Sequence, residues 1–231
     1  MPNITAATAL SARGHNLRTP VRIARTLMVF AALCAGVLLA VPQPAQAIPL
    51  PEVATNWIAS TSRGIALELR ASRSLPVGEQ QTVAGRQINE VAGLIAHLLS
   101  ADAEALRSVW AATSLTRKIA MFTALSQLGV PYRLNADAPF VALDCSALTK
   151  FAWAQAGLDI ERGSQYQYAR AERILRDDVQ AGDLVWYPGH IMLSLGLPEL
   201  IVHARSGQRA VEIHRIDSTR LSWMRWVSPL Q

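Results

Sequence analysis

The chain of 231 residues is 51% hydrophobic and carries 22 basic against 17 acidic side chains, a formal net charge of +5. The composition is globular, with no low-complexity tract and no internal repeat, which excludes a disordered chain and a repeat array. Four arginines (Arg13, Arg18, Arg22, Arg25) fall ahead of residue 26 with no acid among them, so the basic excess is local and gives no argument for nucleic-acid binding.

Residues 1–47 read as a secretory signal peptide. The basic stretch is followed by the uncharged run "TLMVFAALCAGVLLAV" and then by "PQPAQA", with small residues at Ala45 and Ala47. A basic region, a short apolar core and an A-x-A site are the three parts of an exported leader, and cleavage is expected after Ala47. An uncleaved anchor would need about 20 apolar residues, more than this run offers. A lipoprotein signal at Cys34 is disfavoured by the bulky Leu33 before it. Losing 47 of 231 residues leaves 184, with 18 basic against 17 acidic side chains. Cys145 is then the lone thiol of an exported chain, either a buried apolar filler or a free reactive group.

Residues 48–112 form a helical N-terminal segment punctuated by Pro49, Pro51 and Pro76. In "GEQQTVAGRQINEVAGLIAHLLS" the apolar residues Val83, Ile88, Val91, Ile95 and Leu98 keep near-helical spacing, and "ADAEALRSVWAAT" follows with acids in its first turn. His97 within the first helix has no reactive neighbour and reads as a packed or surface histidine.

A second region runs over 113–231. "TSLTRKIAMFTALSQLG" predicts an amphipathic helix with Thr113, Ser114 or Thr116 as cap and Gly129 as stop. "YRLNADAPFVAL" is loop-like. Asp144 caps a helix from Cys145 to about Gln155, with Leu148, Phe151 and Ala152 as its buried stripe and Gly157 as its end. Beyond residue 182 the period changes to two. "DLVWY", "HIMLSL", "LIVHA", "VEIHRI" and "WMRWV" are short strand candidates separated by turn residues. Helices in front and an antiparallel sheet behind predict an α+β domain.

Cys145 at a helix N-terminus meets unsatisfied amides and the positive end of the helix dipole, which favour a thiolate and a depressed pKa. A nucleophilic cysteine needs a base, and the base needs an orienting group. An even-residue loop between the strands of His190 and His203 puts both on one sheet face, and that face is expected to pack on the Cys145 helix. His190 is then the base and His203 its orienter, with His214 on the following strand as the competitor for third place. A zinc site from Cys145 and the histidines lacks a close ligand pair of the usual spacing. The bland alternative is two unrelated histidines and an inert cysteine.

"GVPYRLNAD", "LDCSALTKFAWAQAGL", "GSQY", "AGDLVWY", "GHIMLSLG" and "IVHA" are together similar to the NlpC/P60 family of cell-wall peptidases, a papain-like group, over about residues 115–215. The resemblance implies a papain-like NlpC-type domain over 113–231, with Cys145 as nucleophile, His190 as base and His203 as third member. It implies that Tyr132 shapes the site and helps the Cys145 amide stabilise the oxyanion, and that Asp144 and Ser146 line the pocket for the stem peptide. In three places the chain departs from the family pattern. A glycine after Cys-Ser is Ala147, a Trp-Gly-Gly is replaced by Leu134, Asn135 and Ala136, and a glycine two past the histidine is Met192.

The reading is an exported, cell-envelope peptidoglycan endopeptidase, a cysteine-type hydrolase cutting the bond between γ-D-glutamate and the following diamino acid. It implies no metal or organic cofactor, no nucleic acid, and no stable membrane insertion after signal cleavage; protein partners are left open. The rivals are an amidase on the same scaffold and a wall-binding module that keeps the groove without turnover.

Overall fold

The computed structural model describes residues 51–207 and 209–230; the predicted leader, with Cys34, Ala45 and Ala47, lies outside them. Pro51 precedes α1 (Glu52–Ala71), which has Glu52 in its first turn and Arg70 in its last, each at the end where the helix dipole favours its charge. Its buried face recurs at helical spacing through Ile58, Ser62, Ile65, Ala66 and Leu69. A single turn, α2 (Val77–Gln80), leads to α3 (Gly85–Leu98), which buries Ile88, Val91, Ala92, Ile95 and Ala96. Asp102 caps α4 (Ala103–Ala112) by accepting from the amides of Glu104 and Ala105. The Trp110 indole on α4 donates to the Leu195 carbonyl at 2.6 Å and ties these helices to the sheet.

Ser114 is the cap of α5 (Leu115–Leu125). The amphipathic helix expected here is instead buried at every residue from Arg117 to Leu125. The reason is its position: α1 packs on it, α6 flanks it, and strands β4 and β5 lie against it, so no side is left for water. Burial extends even to Arg117. Its Nη1 donates to Asp183 Oδ1 at 2.6 Å and to the Ala181 carbonyl at 3.3 Å, and its Nη2 donates to Ser228 Oγ at 2.9 Å.

A two-stranded pair, β1 (Asp137–Ala138) and β2 (Ala142–Leu143), precedes α6 (Cys145–Gln155), and α7 (Ser164–Arg170) follows. Gly157, at φ +90°, ends α6 as expected. The buried residues of α6 are Cys145 to Thr149, Ala152 and Trp153, while Phe151 of the expected stripe is half-buried and packs edge-to-face on Phe140.

Six antiparallel strands make the main sheet: β3 (Glu172–Ile174), β4 (Ala181–Tyr187), β5 (His190–Leu195), β6 (Leu200–Ala204), β7 (Val211–Arg215) and β8 (Arg225–Ser228), with α8 (Ser218–Leu221) between the last two. Their order across the sheet is β3-β8-β4-β5-β6-β7. The fold is α+β, with the helical segment ahead of the sheet. Strand β3 carried no alternation and was not predicted. Ile191, Leu193, Leu195, Val202 and Ala204 join the helices in one hydrophobic core. Val185, Met192, Ile201, Ile216, Met224 and Trp226 form a smaller cluster on the other face. Among the described residues no helix is long and apolar enough to cross a membrane.

The Arg117–Asp183 pair is buried on both sides, with side-chain exposures of 9% and 1%. Removing one partner leaves an uncompensated charge in the core, at a cost of about 3–5 kcal/mol. Arg117→Ala is therefore expected to lower the urea unfolding midpoint sharply, and an unchanged midpoint would show that the pair does not tie α5 to the sheet.

Candidate active site

The Asp144 side chain accepts from the Ala147 amide at 2.8 Å and so caps α6, fixing Cys145 at the first helical position. The thiol is buried, with 7% of the residue exposed. The backbone amides of Ile191, Ser146 and Cys145 itself favour the charged form of the sulfur. The Ile191 amide belongs to the peptide that joins His190 to Ile191, at the start of β5.

The register Leu193↔Val202 between β5 and β6 has the odd position sum expected of the short connecting loop. His190 and His203 accordingly share a face, and His190 Nε2 lies 2.8 Å from His203 Nδ1. That face, however, does not pack on α6. Strand alternation sends Ile191, Leu193 and Leu195 to the helices, and His190 and His203 follow the parity of Met192 and Ile201 toward the smaller cluster. Odd-numbered residues of β5 already cover the stripe of α6, so the premise behind the expectation fails. Cys145 opens into a groove with Tyr132, Leu134, Arg162 and Gly189. His190 lines a second hollow with Tyr187, Met192, His203 and His214. The two flank the turn at residues 188–189.

Beyond His203 lies Glu212, a residue that sequence reasoning missed. It pairs across the strands with His203, and its Oε1 is 3.7 Å from His203 Nε2. Arg205 Nη1 donates to Glu212 Oε1 at 2.9 Å, and Arg209 donates from Nε and Nη2 to Oε2 at 3.0 and 2.7 Å. Burial alone would raise the Glu212 carboxyl, but His203, Arg205 and Arg209 hold it at about 2. Its signal was the alternation of "VEIHRI", which puts Glu212 and His214 on one face; only the hairpin register shows that this is the face of His203. His214 sits farther off, its ring centroid 6.1 Å from that of His203.

Burial raises the Cys145 thiol above its ordinary value, and the Asp144 charge adds to this against the opposing amides, Ile191 foremost. Desolvation thus works against the depressed value expected from the helix terminus. Burial, then His203 and Arg205, push the His190 imidazole down to about 3. His203 is also lowered, by burial, with Glu212 opposing. At neutral pH the residues therefore rest as a thiol and two neutral imidazoles.

Tyr132 lines the Cys145 groove, and burial followed by the charges of Cys145 and Asp144 keeps its hydroxyl protonated by raising its pKa. Asp144 and Ser146 also line it, but neither is free for a substrate. Arg162, the second missed residue, donates from Nη1 to Asp144 Oδ1 at 3.0 Å and from Nη2 to Asp144 Oδ2 at 2.8 Å. The Ser146 hydroxyl donates to Asp144 Oδ1 at 3.1 Å and accepts from Arg162 Nη1 at 2.9 Å. No local pattern in "LDIERGSQY" marked Arg162. Ala147 is fully buried; Met192 sits in the smaller cluster away from the Cys145 groove; Leu134 stands 76% exposed at its mouth.

Residues 129–226 match the NlpC/P60 family. A probable endopeptidase from Corynebacterium glutamicum strain R is 27% identical over 212 residues, covering 88% of this chain and 95% of that protein. The bifunctional muramidase/DL-endopeptidase CwlT from Bacillus subtilis strain 168 is 35% identical over 69 residues, 30% of this chain and 21% of that one. Among solved structures, RipD from Mycobacterium tuberculosis, described as a non-catalytic NlpC/p60 domain protein adapted to peptidoglycan binding, is 23% identical. It covers 50% of this chain and 98% of its own, with a TM-score of 0.42. Residues 129–226 are thus an NlpC/P60 family domain within the chain.

Proposed function

We propose that the protein is an exported peptidoglycan endopeptidase that cuts stem peptides between γ-D-glutamate and the following diamino acid, with Cys145 as nucleophile, His190 as base and His203 as orienting residue. The observation that carries this reading is the 2.8 Å contact of His203 Nδ1 with Nε2 of His190, next in sequence to Ile191, whose amide favours the Cys145 thiolate. The likeness to proteins named endopeptidase, one of them a DL-endopeptidase, supports the reaction class.

The hydrogen bond between the rings and the nearby Glu212 charge set the tautomers. Glu212 is ionised and its Oε1 lies 3.7 Å from His203 Nε2, beyond hydrogen-bond reach, so its charge favours the proton of His203 on Nε2, the nitrogen that faces it. His203 Nδ1 then accepts from His190 Nε2–H, and the lone pair of His190 is left on Nδ1. In that form His190 can take the thiol proton as the sulfur attacks the scissile carbonyl, and can return it to the leaving amine. The Cys145 amide and the Tyr132 hydroxyl are the donors offered to the oxyanion. Water then releases the acyl group, with His190 again as base.

One observation favours a second reading, a wall-binding module without turnover. The groups that favour the charged form of the Cys145 sulfur are backbone amides, while the His190 ring is bonded to His203. Digestion of purified sacculi decides between them: release of a glycan stub ending in L-alanyl-γ-D-glutamate is expected. Cleavage next to the lactyl group would make the protein an amidase, and retained binding without cleavage would make it a binding module.

Cys145→Ala is expected to abolish hydrolysis with the fold intact by circular dichroism. His190→Ala should cost about 10²–10⁴-fold in kcat, and His203→Ala clearly less, because an orienter only positions the base. Glu212→Gln should also lower kcat, by weakening the hold on the His203 tautomer. A His214→Ala variant more damaging than His203→Ala would overturn the assignment.

The raised thiol and lowered imidazole give a pH prediction. Because His190 is neutral down to about pH 3, the acid limb of kcat/KM should lie well below 6.5, the ordinary histidine value. Alkylation of free enzyme by iodoacetamide should accelerate only above about pH 8, as the buried thiol ionises. Fast alkylation at pH 6 would instead reveal an ion pair at rest.

A further inference from the structure

The main sheet ends at β7, and part of that edge is unpaired among the described residues. The chain at 129–132 runs along the start of the strand: the Gly129 amide donates to the Val211 carbonyl at 2.9 Å, and the Val211 amide donates to the Val130 carbonyl at 2.8 Å. Val211 therefore turns its backbone away from β6. Ile213 turns the same way, because the pairs Ala204↔Val211 and Val202↔Ile213 lie two steps apart in one register. Among the described residues nothing bonds to the Ile213 amide or carbonyl from that side. Ile213 is only 4% exposed, and buried backbone groups are rarely left without a partner. It lines a hollow of about 420 Å³ walled by Thr55 on the first turn of α1, by Leu98 and Leu99 at the end of α3, and by Leu128.

A segment of the same chain lies within reach of this hollow. The described residues begin at Pro51, one position ahead of α1, and Thr55 of α1 already stands in the hollow. Before Pro51 come Ile48, Pro49 and Leu50, the first residues past the predicted leader. A residue that precedes a proline is pushed into extended backbone, so Ile48 and Leu50 both favour a strand. Successive residues of a strand turn their backbone groups to opposite sides. Ile48 and Leu50 can thus bond to β7 while Pro49 and Pro51, which have no N–H, face away, where an edge strand tolerates proline. In an antiparallel pair, the residue opposite Ile213 shares its side-chain face, the face of the main core with Leu128. Ile48 and Leu50 bring apolar side chains to it. Three extended residues span about 10 Å, which matches the three steps of β7 from Glu212 to Arg215.

We propose that the hollow beside β7 is the docking surface for residues 48–50, which add a further strand antiparallel to β7, with Leu50 opposite Ile213 and Ile48 opposite Arg215. The direction follows from the chain. A Cβ on Gly129 would stand 3.9 Å from the Thr55 methyl, so α1 starts beside the end of the edge that Gly129 holds, and the segment must arrive from the Arg215 end. The added strand closes the free edge of the strand that carries Glu212. Its own outer side offers Pro49 and Pro51, which present no donor, so the sheet does not invite a neighbouring molecule to continue it. The inference is independent of the peptidase reading and holds equally for a wall-binding module.

Residue-resolved amide exchange, followed by NMR on the full chain, tests the docking. In the wild type the Ile213 amide is expected to exchange as slowly as those of Glu212 and His214, whose register directs them to β6. Ile48→Asp combined with Leu50→Asp sets two carboxylates against an apolar hollow. It should speed exchange at Ile213 at least about tenfold and leave Glu212 and His214 unchanged. Pro49→Ala, on the outward side, should leave Ile213 slow, and loss of protection there overturns the assigned register. Fast exchange of Ile213 in the wild type overturns the proposal, as does protection that the double substitution leaves intact. If that surviving protection rises with protein concentration and sedimentation shows a dimer, the edge belongs to a second copy instead. Should the double variant loosen all of β7, the milder Leu50→Ala decides. It must speed Ile213 ahead of Glu212 and His214, and equal acceleration of the three overturns the proposal.

Discussion

Arg117 is the hinge on which the packing of this fold turns. A charged side chain at the centre of a helix buried on all sides would be ruinous alone, because taking a guanidinium out of water costs several kcal/mol. It survives because one side chain reaches the β4 carbonyl of Ala181, the Asp183 carboxylate and the Ser228 hydroxyl of β8 together. Desolvation pushes the Asp183 carboxyl up, and the Arg117 charge and hydrogen bond pull it back. The pair thus sets the height of α5 on the sheet. With α5 placed, α1 has a surface to cover, and α6 has a neighbour that fixes the position of its N-terminus.

The glycine preceding Asp183 shows how tight that placement is. Gly182 adopts φ +92°, and a Cβ added there would come within 3.2 Å of the Trp153 ring and 3.6 Å of the Arg117 backbone. The Trp153 indole donates to the Gly182 carbonyl at 3.1 Å, so α6, α5 and β4 converge on one residue without a side chain. The same convergence fixes the helix whose first residue is Cys145. The candidate nucleophile is therefore positioned by core packing, and the candidate base by the hairpins β4–β5 and β5–β6.

Much of this was legible in the chain itself, because the signals were local. Asp144 before an apolar run announces a cap, Gly157 announces a stop, and alternation beyond residue 182 announces strands. The shared face of His190 and His203 follows from a short loop and period two. What stayed hidden depends on three-dimensional company. The pattern of α5 looks amphipathic because Arg117, Lys118 and Thr123 are polar, and only the partners that cover them reveal a buried helix. The face on which the histidines stand depends on which parity the helices claim. Arg162 lies in a stretch without periodicity and reaches Asp144 across 18 positions, and a helix terminus says nothing of how deeply its thiol is desolvated.

Three histidines on one sheet face, all held neutral by burial, make the fold itself sensitive to acid. The unfolded chain would protonate His190, His203 and His214 near the ordinary histidine value of 6.5, whereas each is lowered in the folded state. Between 6.5 and the folded values the unfolded chain binds more protons, so the linkage runs one way: stability present above 6.5 drains away as pH falls. The base that needs a depressed pKa to stay a base at low pH thus weakens the domain over the same interval. In mildly acidic surroundings the limit on such a protein is set by how long it stays folded, before its imidazole ever gains a proton.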